Sequence, residues 1–457
     1  MNATGALVKF LFETKFEDLP LEIAEKAKLI ILDALGCGIA GTTTDLAKVA
    51  WAVSKEVGGG GECTVIGTPD KTNCVQAAWA NSTIVNALDI DDTGPVGHPG
   101  ATIIPAALAV AERYGSSGRE LLNAVVLGYE VSCRVGMGMF PTWERFYEVR
   151  GMPYLILGGT VAAGKVLRMT FDQLLNAVGI GGATAAIPVS AQGEPRPLSW
   201  IKDNVSWQAA GSVHAALMAR NGFVANQKIL DRFWIKAASD SWIPQKVTEG
   251  LGKDFKIALT SFKHFPCCFD LQSALSALSE ILEGNDLRAE QVESVVARGP
   301  WFLPRNFVEY KPADLIDAQF SLPYVVAMVL LRKPAIRWYS PENLKNPVVL
   351  ELGERVSAVM DPEIQARYLE GMKATGTPFH TPTRVEVKTK EGRIFSAVAE
   401  RPRGDPSFMS GREEISGKFR QLTRAIIGER KSEELVATID RLDSIPDVSQ
   451  ITEILGW

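Results

Sequence analysis

The sequence predicts a mostly helical protein, in which a smaller α+β lid domain is inserted into a large all-α domain built from both ends of the chain. Three observations support this fold class. The 457 residues exceed the roughly 250 to 300 that one hydrophobic core usually serves. Apolar residues recur three or four positions apart in the first half and again near the end of the chain. Between these regions the apolar pattern becomes alternating.

Helical spacing is clearest in the first 220 residues, where glycine or proline marks the gaps between periodic segments. Residues 21–40, 120–135 and 207–220 each predict a helix. Another helix is expected to run to about Leu88. The next is expected to open at Pro105, because proline is favoured in the first turn of a helix.

Alternation marks the middle of the chain. Residues 292–298 alternate weakly, and residues 384–398 alternate clearly around Glu391-Gly392, which predicts a β-hairpin. An apolar helix is expected at 325–331. These elements predict a small α+β unit.

Helical spacing returns at 412–427 and 432–442, so the tail is expected to rejoin the first helices. The domain prediction is an all-helical domain of residues 1–262 and 402–457. Residues 263–401 are then the lid.

Composition excludes several classes of protein. With 46% hydrophobic and 22% charged residues, a net charge of -5 and no basic run, the chain predicts neither disorder nor a nucleic-acid surface. No window holds 18 consecutive apolar residues, which predicts no membrane span. The N-terminus lacks signal-peptide features, so a cytoplasmic protein is expected. Six cysteines without a CxxC pair indicate neither a zinc site nor a disulfide framework.

The stretch ALDIDDTGPVGHPG concentrates Asp89, Asp91, Asp92 and His98 between two apolar segments. Acids at the end of the preceding helix oppose its dipole, which favours cations there, so local stability does not explain them. One interpretation is that they are solvated turn residues, because Asp, Gly and Pro commonly form turns. The other is that they belong to a functional site.

Three further stretches place polar groups beside apolar or proline-fixed surroundings. Lys202 precedes a helix of small residues, and it is either solvated or held for an anion. Lys263 and His264 lie beside Phe-Pro at the predicted domain boundary. Tyr324 opens the apolar helix at 325–331, where a core role is the alternative.

Together these groups suit one chemistry better than others. Cations hold a substrate carboxylate, while a His, Lys or Tyr moves a proton on the adjacent carbon. Their spacing suggests no metal site. The GxSxG of serine hydrolases and the phosphate-binding loop are absent from the sequence.

The order of ALDIDDT, HPGATIIPAALAVAE, LSWIK, SFKHFP, DAQFSLPY and PRGDPSFMSGREEISGKF resembles the MmgE/PrpD family over nearly the whole chain. The resemblance implies a large all-α domain with an α+β lid, a homodimer, and a cofactor-free active site between the domains. It also implies active-site roles for the residues that match family positions, namely Asp89, His98, Lys202, Lys263 and Tyr324. Asp91 and Asp92 match the DDT element and are expected to shape the same wall.

Two departures from the family pattern bear on the reaction. Dehydrating and decarboxylating members usually carry a second histidine about where this chain has residues 150–154. A further family histidine corresponds to Asp270, and His264 could partly substitute for it. Without these histidines, Tyr147 or Tyr154 could take part in proton transfer.

The resulting functional prediction is a cofactor-independent enzyme that removes a proton alpha to a carboxylate of a small di- or tricarboxylic acid. A hydro-lyase similar to 2-methylcitrate dehydratase is the leading form. In it Lys202 and Lys263 bind carboxylate, with His264 and Asp270 nearby. His98 transfers the proton, Asp89 orients His98, and Tyr324 donates a hydrogen bond. The alternatives are an epimerase of a substituted succinate, similar to iminodisuccinate epimerase, and a non-catalytic carboxylate-binding protein.

Overall fold

The computed structural model describes residues 2–142, 145, 151–185, 199–231, 233–375, 380–408 and 411–457. Its first part is helical apart from a two-stranded ribbon, β1 (Cys63–Thr64) with β2 (Lys71–Thr72). The helices of this part are α1 (Ala3–Glu13), α2 (Leu21–Gly41), α3 (Asp45–Val57), α4 (Cys74–Asn86), α5 (Pro99–Tyr114), α6 (Gly118–Gly138), α7 (Leu155–Val166), α8 (Phe171–Thr184), α9 (Asp203–Arg220), α10 (Phe233–Ala238) and α11 (Gln245–Thr248).

The predicted helices at 21–40, 120–135 and 207–220 are confirmed as α2, α6 and α9. The prediction that a helix opens at Pro105 is wrong, because α5 already begins at Pro99 and Pro105 lies inside it. Pro99 occupies the first turn, where its missing N–H costs nothing. The preceding helix, α4, ends at Asn86, and Asp89 has a left-handed φ of 55°. The acidic stretch is therefore a loop rather than a helix end.

Close helix contacts form the centre of the helical part. Helix α7 packs against α5, α6 and α9, and α5 also packs against α6 and α9; all four helices are buried along most of their lengths. At the α6–α7 contact, a Cβ on Gly158 would lie 2.2 Å from Ser132 Oγ, and one on Gly128 would lie 2.8 Å from the Gly158 carbonyl. Glycine is needed at both positions because the two backbones approach directly.

The second part is built on a four-stranded sheet in the order β4-β3-β5-β6. β3 pairs in parallel with β4 and antiparallel with β5, and β5 and β6 form the predicted hairpin around Gly392, which has a φ of 83°. Helix α12 packs on β5 and β6. The elements are α12 (Phe269–Asn285), β3 (Val292–Gly299), α13 (Phe302–Asn306), α14 (Leu315–Gln319), α15 (Leu322–Leu330), α16 (Pro341–Leu344), α17 (Pro347–Glu354), β4 (Val356–Met360), α18 (Pro362–Thr375), β5 (Thr383–Thr389) and β6 (Ile394–Ala399).

The chain then returns to the first helices through α19 (Arg412–Asp440) and ends with α20 (Ser449–Leu455). Helix α19 packs along α2, where a Cβ on Gly36 would lie 2.8 Å from the ring of Phe419. The predicted gap between two tail helices corresponds to a break at Gly428, whose φ is 80°. The mostly α class with an α+β part is confirmed, and the domain boundaries stay a prediction.

A helix that crosses a bilayer must be long and predominantly apolar. Among the described residues, no single helix is long and apolar enough to cross a membrane. Helices α2 and α3 together have the length and apolar composition of a membrane span, but a 92° bend separates them.

An open groove of about 720 Å³ lies between α3, α4 and α9. Its apolar walls include Val49 and Trp207, whose exposed fractions are 56% and 57%. Lys202 lies at its edge. The homodimer implied by the family resemblance stays a prediction.

An ion pair buried inside the helical part joins α6 to the segment after α11. Arg134 donates to Glu130 at 2.6 Å and to the carbonyl of Asp254 at 3.1 Å, while Glu130 accepts from the Lys256 N–H at 2.6 Å. Both charged side chains are fully buried. Removing one partner therefore leaves an uncompensated charge in a low-dielectric interior.

We expect Arg134→Met to lower the free energy of unfolding by about 3 to 5 kcal/mol, because Glu130 loses its counter-ion. Urea denaturation followed by tryptophan fluorescence measures this. The matched control is Arg430→Met, which removes a surface pair with Glu434 and should change stability by less than about 1 kcal/mol. Equal losses in the two variants would contradict the role of the buried pair.

Candidate active site

The loop between α4 and α5 carries the acidic stretch, and almost all of it is buried. Asp91 and Asp92 are 0% and 1% exposed. Two distant segments fix this loop: Thr93 and Ser261 exchange backbone hydrogen bonds of 3.0 and 2.8 Å, and Lys418 of α19 donates to the Ile90 carbonyl at 2.8 Å. The interpretation as solvated turn residues is therefore wrong.

Asp89 is held between two lysines. The ammonium of Lys263 donates to Asp89 Oδ1 at 2.6 Å and to its backbone carbonyl at 2.7 Å, and Lys202 Nζ lies 3.8 Å from Oδ2. Burial opposes ionisation of Asp89, but the two ammonium groups outweigh it and hold the pKa of this carboxyl below its usual value. Asp89 is thus an anion that neutralises buried cations.

Asp91 orients His98, a role that the sequence had suggested for Asp89. Asp91 Oδ2 lies 3.1 Å from His98 Nδ1, and both oxygens of Asp91 accept from the Asn86 amide at 3.0 Å. Burial opposes ionisation of Asp91, but nearby His98 and Lys263 bring the pKa of this carboxyl well below its usual value. With a proton on Nδ1, His98 donates to Asp91, and Nε2 is its acceptor.

Asp92 lies behind the site. Its Oδ2 accepts a hydrogen bond of 2.8 Å from Tyr129, and a Cβ on Gly100 would lie 2.0 Å from its Oδ1. Burial and the neighbouring Asp91 charge raise the pKa of the Asp92 carboxyl to about 7. The prediction that Asp92 forms the substrate wall is therefore corrected: it supports the loop from behind.

A cavity of about 190 Å³ opens beside His98 and receives residues from both parts of the fold. Asp89, His98, Lys202 and Asp270 line it, so four of the predicted site residues meet there. Lys202 is the N-cap of α9, and Asp270 lies in the first turn of α12. The other polar lining residues are Asn86, Thr93 and Asn204. The apolar lining residues include Val96, Phe140, Met152, Tyr154, Ile201, Val205, Phe269 and Phe320.

The lysine at the cavity is Lys202, whose side chain is only 4% exposed. Burial lowers the pKa of Lys202 below the ordinary 10.5, against the attraction of Asp89 and Asp91. Burial acts in the same direction on Lys263, but Asp89 and Asp91 overcome it and raise that pKa. Lys202 is therefore the lysine whose ammonium can form an ion pair with an anionic ligand.

Besides Asp91 and Asp92, three residues predicted to face the substrate do not line this cavity. Lys263 has a fully buried side chain, and its ammonium bonds to Asp89. His264 Nε2 faces Glu414 of α19 at 3.1 Å, and burial with nearby Lys418 lowers the pKa of this imidazole to about 4. Tyr324 donates to the Trp338 carbonyl. Lys263 and Tyr324 thus donate to protein groups through the polar atoms that had been assigned to the substrate, and His264 Nε2 lies beside a carboxylate of the protein.

Two other predicted residues, Asp270 and Tyr154, line the cavity. Asp270 accepts from Thr381 Oγ1 at 3.0 Å. Tyr154 lines the cavity but is 7% exposed, and burial raises the pKa of its phenol. Tyr147 lies outside the described residues.

Several lining residues were missed from the sequence. Asn86 had a detectable signal, since it is a polar residue that follows Ile84 and Val85 directly before the acidic stretch. Met152, Phe269 and Phe320 carried none, because isolated apolar residues predict a core position equally well.

Three of these side chains lie close enough together to resemble a cation site. Ligand atoms of Asp89, Asp91 and His98 lie within 4.8 Å of one another. Lys263 already neutralises Asp89 from 2.6 Å, and Lys202 lies 3.8 Å from its other oxygen. A divalent ion at this position would meet two ammonium charges, so these donors fit a metal poorly.

The arrangement combines an oriented imidazole with a buried ammonium at one small cavity. An imidazole with a free nitrogen can take or return a proton, and an ammonium stabilises negative charge that develops on a carboxylate. Asp89 and Asp91 fix these two groups by charge and hydrogen bonding. Proton transfer beside a bound carboxylate is the chemistry that these side chains support.

Comparisons with known proteins identify the family of this chain. The model of the MmgE/PrpD N-terminal domain matches residues 5–240, and that of the MmgE/PrpD C-terminal domain matches residues 265–444. The human cis-aconitate decarboxylase is 24% identical over 99% of this chain and 94% of its own length. A cis-aconitate decarboxylase of Aspergillus terreus is 24% identical over 96% of this chain and 93% of its own.

A third relative carries a different activity in its name. The probable 2-methylcitrate dehydratase of Saccharomyces cerevisiae is 23% identical over 79% of this chain and 74% of its own length. The similarity to a decarboxylase and to a dehydratase supports a family of lyases that act on carboxylates. Because both domain models match in order and cover most of its length, this chain belongs to the MmgE/PrpD family.

Proposed function

We propose that this protein is a lyase that transfers a proton at the carbon next to a carboxylate in a small di- or tricarboxylic acid. One observation carries the proposal: the Asn86–Asp91–His98 hydrogen-bond chain places an oriented imidazole at the cavity that Lys202 also lines. The relatives support the reaction class, because their names describe decarboxylation and dehydration of such acids.

His98 is the proposed proton-transfer group. Asp91 is fully buried and keeps its charge, so it fixes the imidazole ring and stabilises the imidazolium that forms when Nε2 accepts a proton. The imidazole side chain is 21% exposed, which leaves it accessible from the cavity. A general base must lie within reach of the proton that it takes, and the orientation and accessibility of His98 suit that geometric requirement.

Lys202 is the proposed carboxylate-binding group. Lys263 already pairs with Asp89 at 2.6 Å, whereas Lys202 lies 3.8 Å from it. The Lys202 ammonium is therefore left to pair with a ligand. A carboxylate at Lys202 would gain an ion pair in a low-dielectric site and would acidify its own α-proton. Lys263 keeps Asp89 charged and in place.

An epimerase is the second candidate, and one observation favours it. Among the described lining residues, His98 is the only histidine, and Met152 and Tyr154 occupy the region where family lyases usually carry another. Elimination of hydroxide needs a proton donor to the leaving group, whereas epimerisation only returns a proton to carbon. Asp270 and Tyr154 are the lining groups that could act as that donor in a lyase.

Proton NMR in D₂O separates the two reactions. The purified protein is incubated with 2-methylcitrate, citrate, cis-aconitate, iminodisuccinate and 2-substituted succinates. For the lyase we expect alkene signals to form from hydroxy acids, or to change as an unsaturated acid is decarboxylated. Loss of an α-proton signal without a change in alkenes would instead identify the epimerase. No exchange with any compound, together with measurable binding, would support the non-catalytic alternative.

Replacing His98 tests its role. We expect His98→Gln to lower kcat about 10²- to 10⁴-fold, because a general acid–base group typically contributes that factor. The matched control is His214→Gln, at an exposed position on α9 outside the cavity, which should keep full activity. Unchanged turnover in His98→Gln would remove this residue from the mechanism.

Substrate binding should depend on pH through Lys202. Burial lowers the pKa of Lys202 below 10.5, so its ammonium loses the proton, and with it the attraction for carboxylate, as the pH rises toward that lowered value. We therefore expect KM to increase at alkaline pH, and Lys202→Arg, which stays protonated, to lose that increase. Lys48→Arg on the surface is the control. An identical KM profile in Lys202→Arg would assign the titration to another group.

A further inference from the structure

We infer that the preferred substrate is a dicarboxylate with an apolar substituent, of branched-alkyl or phenyl size, where a tricarboxylate would carry its third carboxylate. This inference rests on the proposed function and concerns the same cavity. Its basis is the juxtaposition, in one cavity, of Lys202, the one lysine among the described lining residues, with an aromatic wall contributed by two separate elements.

The aromatic wall comes from the α+β part of the fold. Phe269 opens α12, and Phe320 follows α14. The Cys268 N–H donates to the Gln319 carbonyl at 3.1 Å, so the residues before these two rings are joined directly. Phe320 also stacks on Phe307, with ring centroids 6.2 Å apart and an interplanar angle of 6°, which fixes its direction. The wall is therefore preformed.

The helical part supplies a second apolar surface. A Cβ on Gly97 would lie 2.3 Å from Met152 Sδ, and one on Gly136 would lie 2.4 Å from Val96 and 3.0 Å from the ring of Tyr154. These contacts pack Val96, Met152 and Tyr154 together at the cavity. A ligand here meets apolar side chains from both parts of the fold, and they favour burial of an apolar group.

The charges at the cavity disfavour a third carboxylate. Among the described lining residues, Lys202 is the lysine, and Asp89 and Asp270 are carboxylates. Lys263, the other nearby ammonium, bonds to Asp89 and does not line the cavity. Among the described lining residues, Lys202 and His98 are the groups that can meet a carboxylate, so a third carboxylate would lie against the apolar lining without a counter-charge.

Isothermal titration calorimetry with three probes that carry no leaving group tests this inference. The probes are succinate, benzylsuccinate and tricarballylate. We expect benzylsuccinate to bind at least about tenfold more tightly than succinate, because its phenyl ring is buried against the aromatic wall. Tricarballylate should bind at least about tenfold more weakly than benzylsuccinate.

Variants localise the effect. Phe269→Ala should weaken benzylsuccinate about tenfold and leave succinate unchanged. Phe223→Ala, at a position that is 57% exposed and outside the cavity, is the matched control. Phe269→Leu retains an apolar side chain and should fall between wild type and Phe269→Ala, which separates loss of the ring from a folding defect.

The outcomes separate this inference from the proposed function. Tricarballylate binding as tightly as benzylsuccinate overturns the inference. If Lys202→Met then abolishes that binding, the proposed carboxylate site stands. An unchanged ratio of benzylsuccinate to succinate affinity in Phe269→Ala also overturns the inference. No binding of any probe overturns both.

Discussion

Burial of three carboxylates within four residues is the constraint on which the rest of this structure depends. A buried carboxylate is tolerated only when a counter-charge or hydrogen-bond donors accompany it. Each acid in this loop has a different set of such partners. Asp89 takes Lys263, Asp91 takes Asn86 and His98, and Asp92 takes Tyr129. These partners lie on separate segments, so satisfying the acids draws those segments together around one loop.

The C-terminal helix reinforces the same loop. Lys418 lies 2.6 Å from Asp33 on α2 and donates to the Ile90 carbonyl, between the two carboxylates that hold Lys263 and His98. Asp33 and Lys418 are both buried, and Asp33 contributes to raising the pKa of the Lys418 ammonium. A helix from the end of the chain thereby fixes the backbone at the site. Through this contact, the return of the tail to the first helices affects the candidate site as well as the packing.

The two lysines illustrate how one interaction divides roles between similar side chains. Lys263 donates its hydrogen bonds to Asp89. The Lys202 Nζ lies 3.8 Å from the same carboxylate, and Lys202 lines the cavity. One lysine therefore organises the site and the other is proposed to meet the substrate. The remaining described lining is largely apolar, so we propose that affinity for carboxylate and selection of the substituent depend on different parts of the wall.

The sequence by itself determined the helical first half, the hairpin at β5 and β6, the return to helix at the end, and the family. Periodicity, turn residues and motif order are encoded within short segments, so they can be recognised without contacts. It also singled out Asp89, His98, Lys202 and Asp270, which the structure brings to one cavity. Only the tertiary structure decided that Asp91 orients His98, that Lys263 and Tyr324 are satisfied by protein groups, and that Phe269 and Phe320 line the cavity. Lys263 and Asp89 are 174 residues apart, and the direction of each side chain depends on packing between distant segments, which no local pattern records.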